Sequence, residues 1–507
     1  NCLELTKRMA WQYGGVAECL GISLSSLRGA NSDIDYEKLI RFPNLSSIAS
    51  ARFVYKDLEK QSKIVPSYWQ KLENLIQNNK DLSTTAKAKF AIRASERSFQ
   101  IPKTDSLNDQ DGKSYNGVMF SSKWLAEDME LTKDETSTLR NLVDQAHKES
   151  GFGDGSPGDW WVIVLADGDG MGQYVSGKKL KQYARYLVDR KYEHYLDQTK
   201  KLQVSPTEFP KKFTKLLKIK KRMGPATHVG LNRALLDFSN RLVPYITEKR
   251  FCGKVVYSGG DDVMAVLPLE DLPEYLRSLR AAWCGDKDPF GEFENYPTSS
   301  QPKGCGYWYP KSELEGLPNR PHFTMGKCAT MSMGIVIAYK SVPLPTVLEN
   351  LWEAEKERAK KIPGKDGLCF RVIYGGGNTL EALMKGTLLN EWIQLLSPPE
   401  ENLSPLLYRL AEELPRRATV TENYKLFSLA AKVIMESREE SKRLNNFPQI
   451  LEWLEKWEKW AYEMTKNVPA NENKPLGTNP EDLGKLLRFS AFWVDKMVQR
   501  KKWAERR

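Results

Sequence analysis

Tyr257-Ser258-Gly259-Gly260-Asp261-Asp262 separates two apolar runs, Lys254-Val255-Val256-Tyr257 and Val263-Met264-Ala265-Val266-Leu267-Pro268-Leu269. Each run reads as a short strand, so the glycines fall at a hairpin tip with two carboxylates beside them. Adjacent acids at such a turn can hold hard divalent cations, and the bare glycine backbone leaves room for a nucleotide phosphate. Upstream, Trp160-Trp161-Val162-Ile163-Val164-Leu165-Ala166 breaks into Asp167-Gly168-Asp169-Gly170-Met171-Gly172. This reads as a buried strand ending in a metal-binding turn. Two-metal catalysis needs carboxylates bridging cations roughly 4 Å apart. Asp167, Asp261 and Asp262 are the candidates.

Taken singly, each segment is an ordinary turn, since Asp-Gly and Gly-Gly-Asp are common turn formers. A calcium loop beginning at Asp167 is ruled out because Tyr174 to Lys178 lacks the required glutamate. The conjunction of two acidic turns, each directly on a β-rich run, points to nucleotidyl transfer.

At 507 residues and 58.0 kDa the chain is too long for one core and predicts two to four domains. No apolar run approaches the ~20 residues of a membrane span, and no signal peptide is evident. Asn1 rather than methionine opens the chain, which reads as a trimmed or partial form of something longer. Net charge is +11, from 76 basic against 65 acidic residues. Basic clusters lie at Lys211-Lys212, Lys215, Lys218, Lys220-Lys221-Arg222 and Arg500-Lys501-Lys502. Each is alone compatible with a solvated helix face; beside a nucleotide site they favour an RNA or DNA partner. Seven scattered cysteines without a Cys-x-x-Cys pair indicate a reducing, cytoplasmic setting. Cys284, Cys305 and Cys328 share a loop-rich stretch with His322 and could hold zinc, but they match no standard finger spacing and read more readily as buried or loop thiols. None of His147, His194, His228 and His322 precedes an aspartate, so no His-Asp phosphohydrolase motif is present.

Four zones follow from the pattern. Residues 1–150 read as mainly helical, and the glycine-rich 151–158 as a linker. Residues 159–378 alternate strands and helices as an α/β or α+β layer requires, and 379–507 are again helical, with tryptophans of the 450–460 stretch at helical spacing.

The middle zone resembles the palm of the large, polymerase-like subunit of type III CRISPR effector complexes, most closely the type III-B (Cmr) branch. The resemblance rests on Leu165 to Gly172, Gly224-Pro-Ala-Thr-His228, Tyr257 to Asp262, Ala329 to Ala338, Ala359 to Lys365 and Leu368 to Ile373. Arg41 to Ala49 adds a stretch in the first zone. It implies an α+β fold: a ferredoxin-like, GGDEF/cyclase-type palm, βαββαβ with an antiparallel sheet, flanked by helical domains. It also implies synthesis of cyclic oligoadenylates from ATP when target RNA binds, in company with other effector subunits and a guide RNA. On that footing Asp167 and Asp261 hold two magnesium (or manganese) ions, with Asp262 assisting. Main-chain groups at Gly168, Asp169 and Gly170 approach the triphosphate, and Gly259 and Gly260 leave room for it. Lys360 or Lys365 clamps a phosphate, Ser258 and Ser332 touch base or ribose, and His228 caps or packs its helix. The His-Asp nuclease motif frequent in that family is missing from these residues, residues 1–150 are too short for a complete second palm and are expected to hold at most remnants of one, and Cys2 with Cys19 cannot make the family's four-cysteine finger alone. Three other readings compete. A diguanylate cyclase normally has Glu-Phe where Asp262-Val263 stand, a scaffold would carry a degenerate palm, and a templated polymerase would show thumb or finger signatures.

Overall fold

A computed structural model describes residues 45–95, 117–129, 131–186, 215–295, 306–437, 446–469 and 472–505. Arg41 to Asn44, Lys211-Lys212, His194, Cys2, Cys19 and Cys305 lie outside the described residues.

The first zone is helical where described: α1 Leu45–Glu59, α2 Ile64–Asn78, α3 Thr84–Ser95, α4 Ser122–Asp128 and α5 Lys133–Glu149. α2 buries Val65, Tyr68, Leu72 and Ile76, one stripe at helical spacing. α5 starts at a capping box in which Thr132 and Glu135 satisfy each other's backbone N–H. At the centre of this unit the Tyr68 hydroxyl donates to Met119 O at 2.7 Å and lies 3.1 Å from His147 Nε2. The two rings stack at 5.2 Å. Burial, with Lys340 adding to it, lowers the His147 pKa to about 3, so the imidazole is neutral in the folded chain. The unfolded imidazole takes a proton near 6.5, so this stability is full above about pH 6.5 and is lost progressively as pH falls toward 3. Acid unfolding of the wild-type chain is therefore expected to steepen below pH 6.5. His147→Gln should flatten that segment of a Tm-against-pH curve.

The middle zone forms a six-stranded sheet in the spatial order Lys254–Gly259, Asp262–Pro268, Trp160–Gly168, Met331–Tyr339, Gly367–Ile373, Thr379–Lys385. β1 is Trp160–Gly168, followed by the short α6 Met171–Val175 and by α7 Pro225–Asp237. α7 runs on into two π-helical turns, Phe238–Leu242 and Tyr245–Arg250, around Pro244, which has no N–H to give a regular ladder. β2 Lys254–Gly259 and β3 Asp262–Pro268 make the hairpin, and α8 Leu272–Cys284 follows. A small three-stranded sheet, β4 Phe293–Glu294, β5 Tyr307–Pro310 and β6 His322–Phe323, precedes β7 Met331–Tyr339. Up to this point strand order and antiparallel pairing are those of the expected βαββαβ palm.

The sheet then departs from expectation. α9 Leu344–Glu353 crosses over to β8 Gly367–Ile373, which pairs parallel with β7, and β9 Thr379–Lys385 returns antiparallel. The sheet is therefore mixed, and it runs past the boundary expected at residue 378.

Alternate residues of the central strands bury on opposite faces, as the two-residue strand period requires. Trp161, Ile163, Val266, Val336 and Ala338 meet Ile48 and Ala49 of α1 and Val347 and Leu351 of α9. Val162, Val164, Ala265, Leu267, Ile335 and Ile337 face a larger core shared with the helical tail. That tail comprises α10 Leu389–Leu395, α11 Leu403–Arg417, α12 Leu426–Glu436, α13 Phe447–Thr465 and α14 Pro480–Glu505. Phe489 of α14 stacks on Phe370 of β8 at 4.5 Å and on Trp392 of α10 at 5.7 Å. Trp453 and Trp457 of α13 are core residues. Among the described residues no helix is long and apolar enough to cross a membrane.

Candidate active site

The two acidic turns meet at one end of the sheet because β1 lies against β3. Ala166 faces Val263, so Asp167, one step further, is the cross-strand neighbour of Asp262. Gly260 and Asp261 are the two-residue hairpin tip between Gly259 and Asp262. A Cβ on Gly168 would lie 2.5 Å from the Trp283 ring and 2.9 Å from Asp261 Cβ. Only glycine lets Asp261 approach β1 so closely, which gives Gly168 a packing role at the site.

The carboxylates feel one another. Burial, then a hydrogen bond and charge from Asp167, push Asp262 up to about 6. Asp261 is raised too, first by burial and then by Asp167. Such a cluster is short of positive charge. Lys360 answers it, its Nζ lying 2.9 Å from Asp167 Oδ2 and paired also with Glu355. Burial disfavours the Lys360 ammonium, but its bonds to Glu355 and Asp167 outweigh that and raise it. Glu355 is itself almost fully buried and raised by burial. It reaches the site from a π-helical turn, Ala354–Arg358, that packs on Gly334 of β7. A Cβ there would meet Glu355 N at 2.7 Å.

A second layer holds the lysine loop. Asp169 is buried, and its carboxylate accepts from Ser332 Oγ at 2.8 Å and from Asp366 N at 2.9 Å. Ser332 Oγ in turn accepts from Gly367 N at 3.3 Å. Asp366, buried in left-handed backbone (φ 53°), has its carboxylate gripped by both guanidinium nitrogens of Arg280. Lys385 Nζ donates to Pro363 O at 2.9 Å and to Lys365 O. Non-glycine residues in that backbone region cost of order 1–3 kcal/mol each, so these bonds hold a strained loop in place.

Several expected contacts are corrected by these positions. Ser332 is fully buried under Asp169 and cannot reach a base or ribose. Ser258 gives its hydroxyl to Ser239 O at 2.9 Å, a carbonyl in the first π-helical turn. Asp169 N donates to Thr330 O and its carbonyl accepts Lys179 Nζ at 3.3 Å, while Gly168 lies in the ladder opposite Met331. The main chain of Asp169 is therefore not free for a triphosphate. Gly170 is half-buried at the entry to α6, its carbonyl on Gln173 N. The space beside Gly260 is open, whereas the Tyr257 hydroxyl lies against Gly259. Lys365 is exposed (φ 55°) and His228 is exposed on the first turn of α7. Glu355, Asp366, Arg280 and Lys385 were not singled out from sequence. Of these only Asp366, beside the Gly364-Lys365 motif, carried a local signal.

Among the described residues no three or more His, Cys, Asp and Glu side chains converge tightly enough to ligate one metal ion. The donor set nevertheless suits magnesium, which takes one or two carboxylates and completes its shell with water and substrate phosphates. His322 is buried with Nε2 on Pro318 O at 3.2 Å, so it serves packing.

Residues 161–369 match the family model described as Cas10/Cmr2, second palm domain. Over that stretch the chain carries a palm domain of the Cas10/Cmr2 type. The "CRISPR system Cmr subunit Cmr2" of Pyrococcus furiosus is 25% identical over 304 residues, 59% of this chain and 28% of that protein. The Saccharolobus solfataricus "CRISPR system CMR subunit Cmr2" is 26% identical over 155 residues, 30% of this chain and 12% of that protein. The chain thus spans under a third of the length of these Cas10/Cmr2 relatives. In fold it is similar to a chain of the apo type III-B Cmr-beta structure, with TM-score 0.52 and 15% identity over 89% of this chain and 47% of that one.

Proposed function

We propose that this chain carries the nucleotidyl-transfer centre of a type III-B effector complex and joins ATP into cyclic oligoadenylates when target RNA is bound. The observation that carries the reading is the convergence of Asp167, Asp261 and Asp262 across two strands, with Lys360 as the counter-charge. The names of the relatives, each a Cmr subunit of a CRISPR system, support a setting among other effector subunits, and a guide RNA and a target RNA complete the proposed partners.

Asp167, Asp261 and Asp262 would hold two divalent cations, magnesium or manganese, which lower the pKa of an attacking 3′-hydroxyl and neutralise the triphosphate. The remaining chemistry belongs to the chain. The hairpin tip beside Gly260 admits the nucleotide against bare backbone. Lys360 is a compact point charge that exchanges Asp167 for a phosphate oxygen, and Glu355 keeps its head aimed into the cleft. Asp169, Ser332, Asp366 and Arg280 fix the loop from behind, so little reorganisation remains when charge develops.

The test is incubation of the chain, assembled with the other subunits and guide RNA, with labelled ATP, magnesium and target RNA. Cyclic adenylates formed only with target RNA are the expected product. Turnover of GTP alone would indicate a diguanylate-type cyclase, and no product would indicate a scaffold.

A further inference from the structure

Two basic stretches distant in sequence are laid side by side next to the Asp167–Gly170 turn. Tyr183 N donates to Ile219 O at 3.0 Å and Lys221 N to Lys181 O at 2.9 Å, with Gln182 bridged antiparallel to Lys220. Lys220 Nζ reaches Lys178 O at 3.3 Å. The ladder exposes Lys178, Lys179, Lys181, Lys218, Lys220 and Arg222, and neither 171–186 nor 215–224 contains an aspartate or glutamate. An ordinary solvated face intersperses both signs of charge, whereas within these two stretches every charged residue is basic. Lys179, over the Tyr174 ring at 4.5 Å, ties the ladder to the catalytic turn through Asp169 O.

We propose that this ladder binds the phosphate backbone of a single-stranded RNA passing the mouth of the active site. Exposed cations spread along two strands suit a repeating anion better than a single triphosphate. Val175, Leu216 and Ile219 are each close to half exposed among the lysines. They offer apolar contact to unstacked bases, which a duplex keeps inside its stack. Phosphate and apolar contacts carry no base-edge readout, so binding is blind to sequence. The inference stands on charge and geometry and is independent of whether the acidic cluster is active.

The experiment is fluorescence anisotropy of the full chain with a 5′-labelled 20-nucleotide single-stranded RNA across a salt series, without ATP or divalent ions. The comparison is Lys178→Ala/Lys181→Ala/Lys218→Ala/Lys220→Ala, which spares Lys179 because of its contact with the catalytic turn. Losing four phosphate contacts should weaken binding at least tenfold at low salt. It should also make the slope of log K against log salt less steep by roughly 3, at about 0.7 per contact on a single strand. The four corresponding Lys→Arg changes should restore both values, which a folding defect would not allow. Unchanged affinity and slope in the alanine variant would overturn the proposal.

Discussion

The Asp261→Ala/Asp262→Ala chain is expected to fold as the wild type does and to make no detectable oligoadenylate, with kcat reduced on the order of 10³-fold or more. Both side chains sit half-exposed at a hairpin end, outside the core clusters. Both carboxyl groups are raised, so their charged forms are disfavoured in the folded chain. Removing them relieves repulsion with Asp167, and Tm should hold or rise slightly. The activity loss has a different origin. Charge stabilisation by bound cations is worth several kcal/mol in a phosphoryl-transfer transition state, and each 1.4 kcal/mol is a factor of ten in rate. Product measured from labelled ATP, beside a melting curve, separates the two effects. A variant that retains a tenth of wild-type turnover would show that the centre lies elsewhere.

Arg250→Met should be the most damaging single change to stability, at about 3–5 kcal/mol. Arg250 ends the second π-helical turn and enters the base of the small sheet, where its side chain and that of Asp288 are almost wholly buried. Two guanidinium nitrogens bond the two Asp288 oxygens at 2.9 Å each, and the same group reaches Glu292 Oε2 at 2.7 Å. The Phe290, Phe293 and Trp308 rings surround it. Without the cation, Asp288 keeps the backbone donors of Phe290, Glu292 and Phe293 but is left charged in an apolar pocket. Arg250→Lys should recover little, because an ammonium cannot match the planar fork. Arg250→Met/Asp288→Leu should recover much of the loss, since the penalty lies in the stranded charge. The midpoint of the first transition in urea reports both; a single variant within 1 kcal/mol of wild type would refute the assignment.

The parts of the fold legible in the sequence are those whose signals are local. β1 could be read because a run of apolar, largely β-branched and aromatic residues stops at Asp-Gly-Asp-Gly. The hairpin could be read because Gly-Gly sits between two such runs. β9 was hidden for the opposite reason. Thr-Leu-Glu-Ala-Leu-Met-Lys is made mostly of strong helix formers, and it is a strand because β8 pairs along its whole length and the tail covers it. The acids and Lys360 were legible as a set. The geometry around them was not, because Asp169–Ser332, Asp169–Asp366 and Arg280–Asp366 join residues far apart in the chain. Ser332 shows the limit plainly: a hydroxyl inside a motif reads as a ligand contact until its burial is known.

The aromatic stack of Phe370, Phe489 and Trp392 means that the sheet and the helical tail have no seam between them. A cut placed where the recognisable motifs end, at residue 378, would remove the outermost strand. It would also discard Lys385, the clasp that holds the carbonyls of Pro363 and Lys365. The smallest piece of this protein able to keep its lysine loop in shape is therefore larger than its acidic motifs, and the last helix is as much a part of the proposed centre's foundation as the strand bearing Asp167.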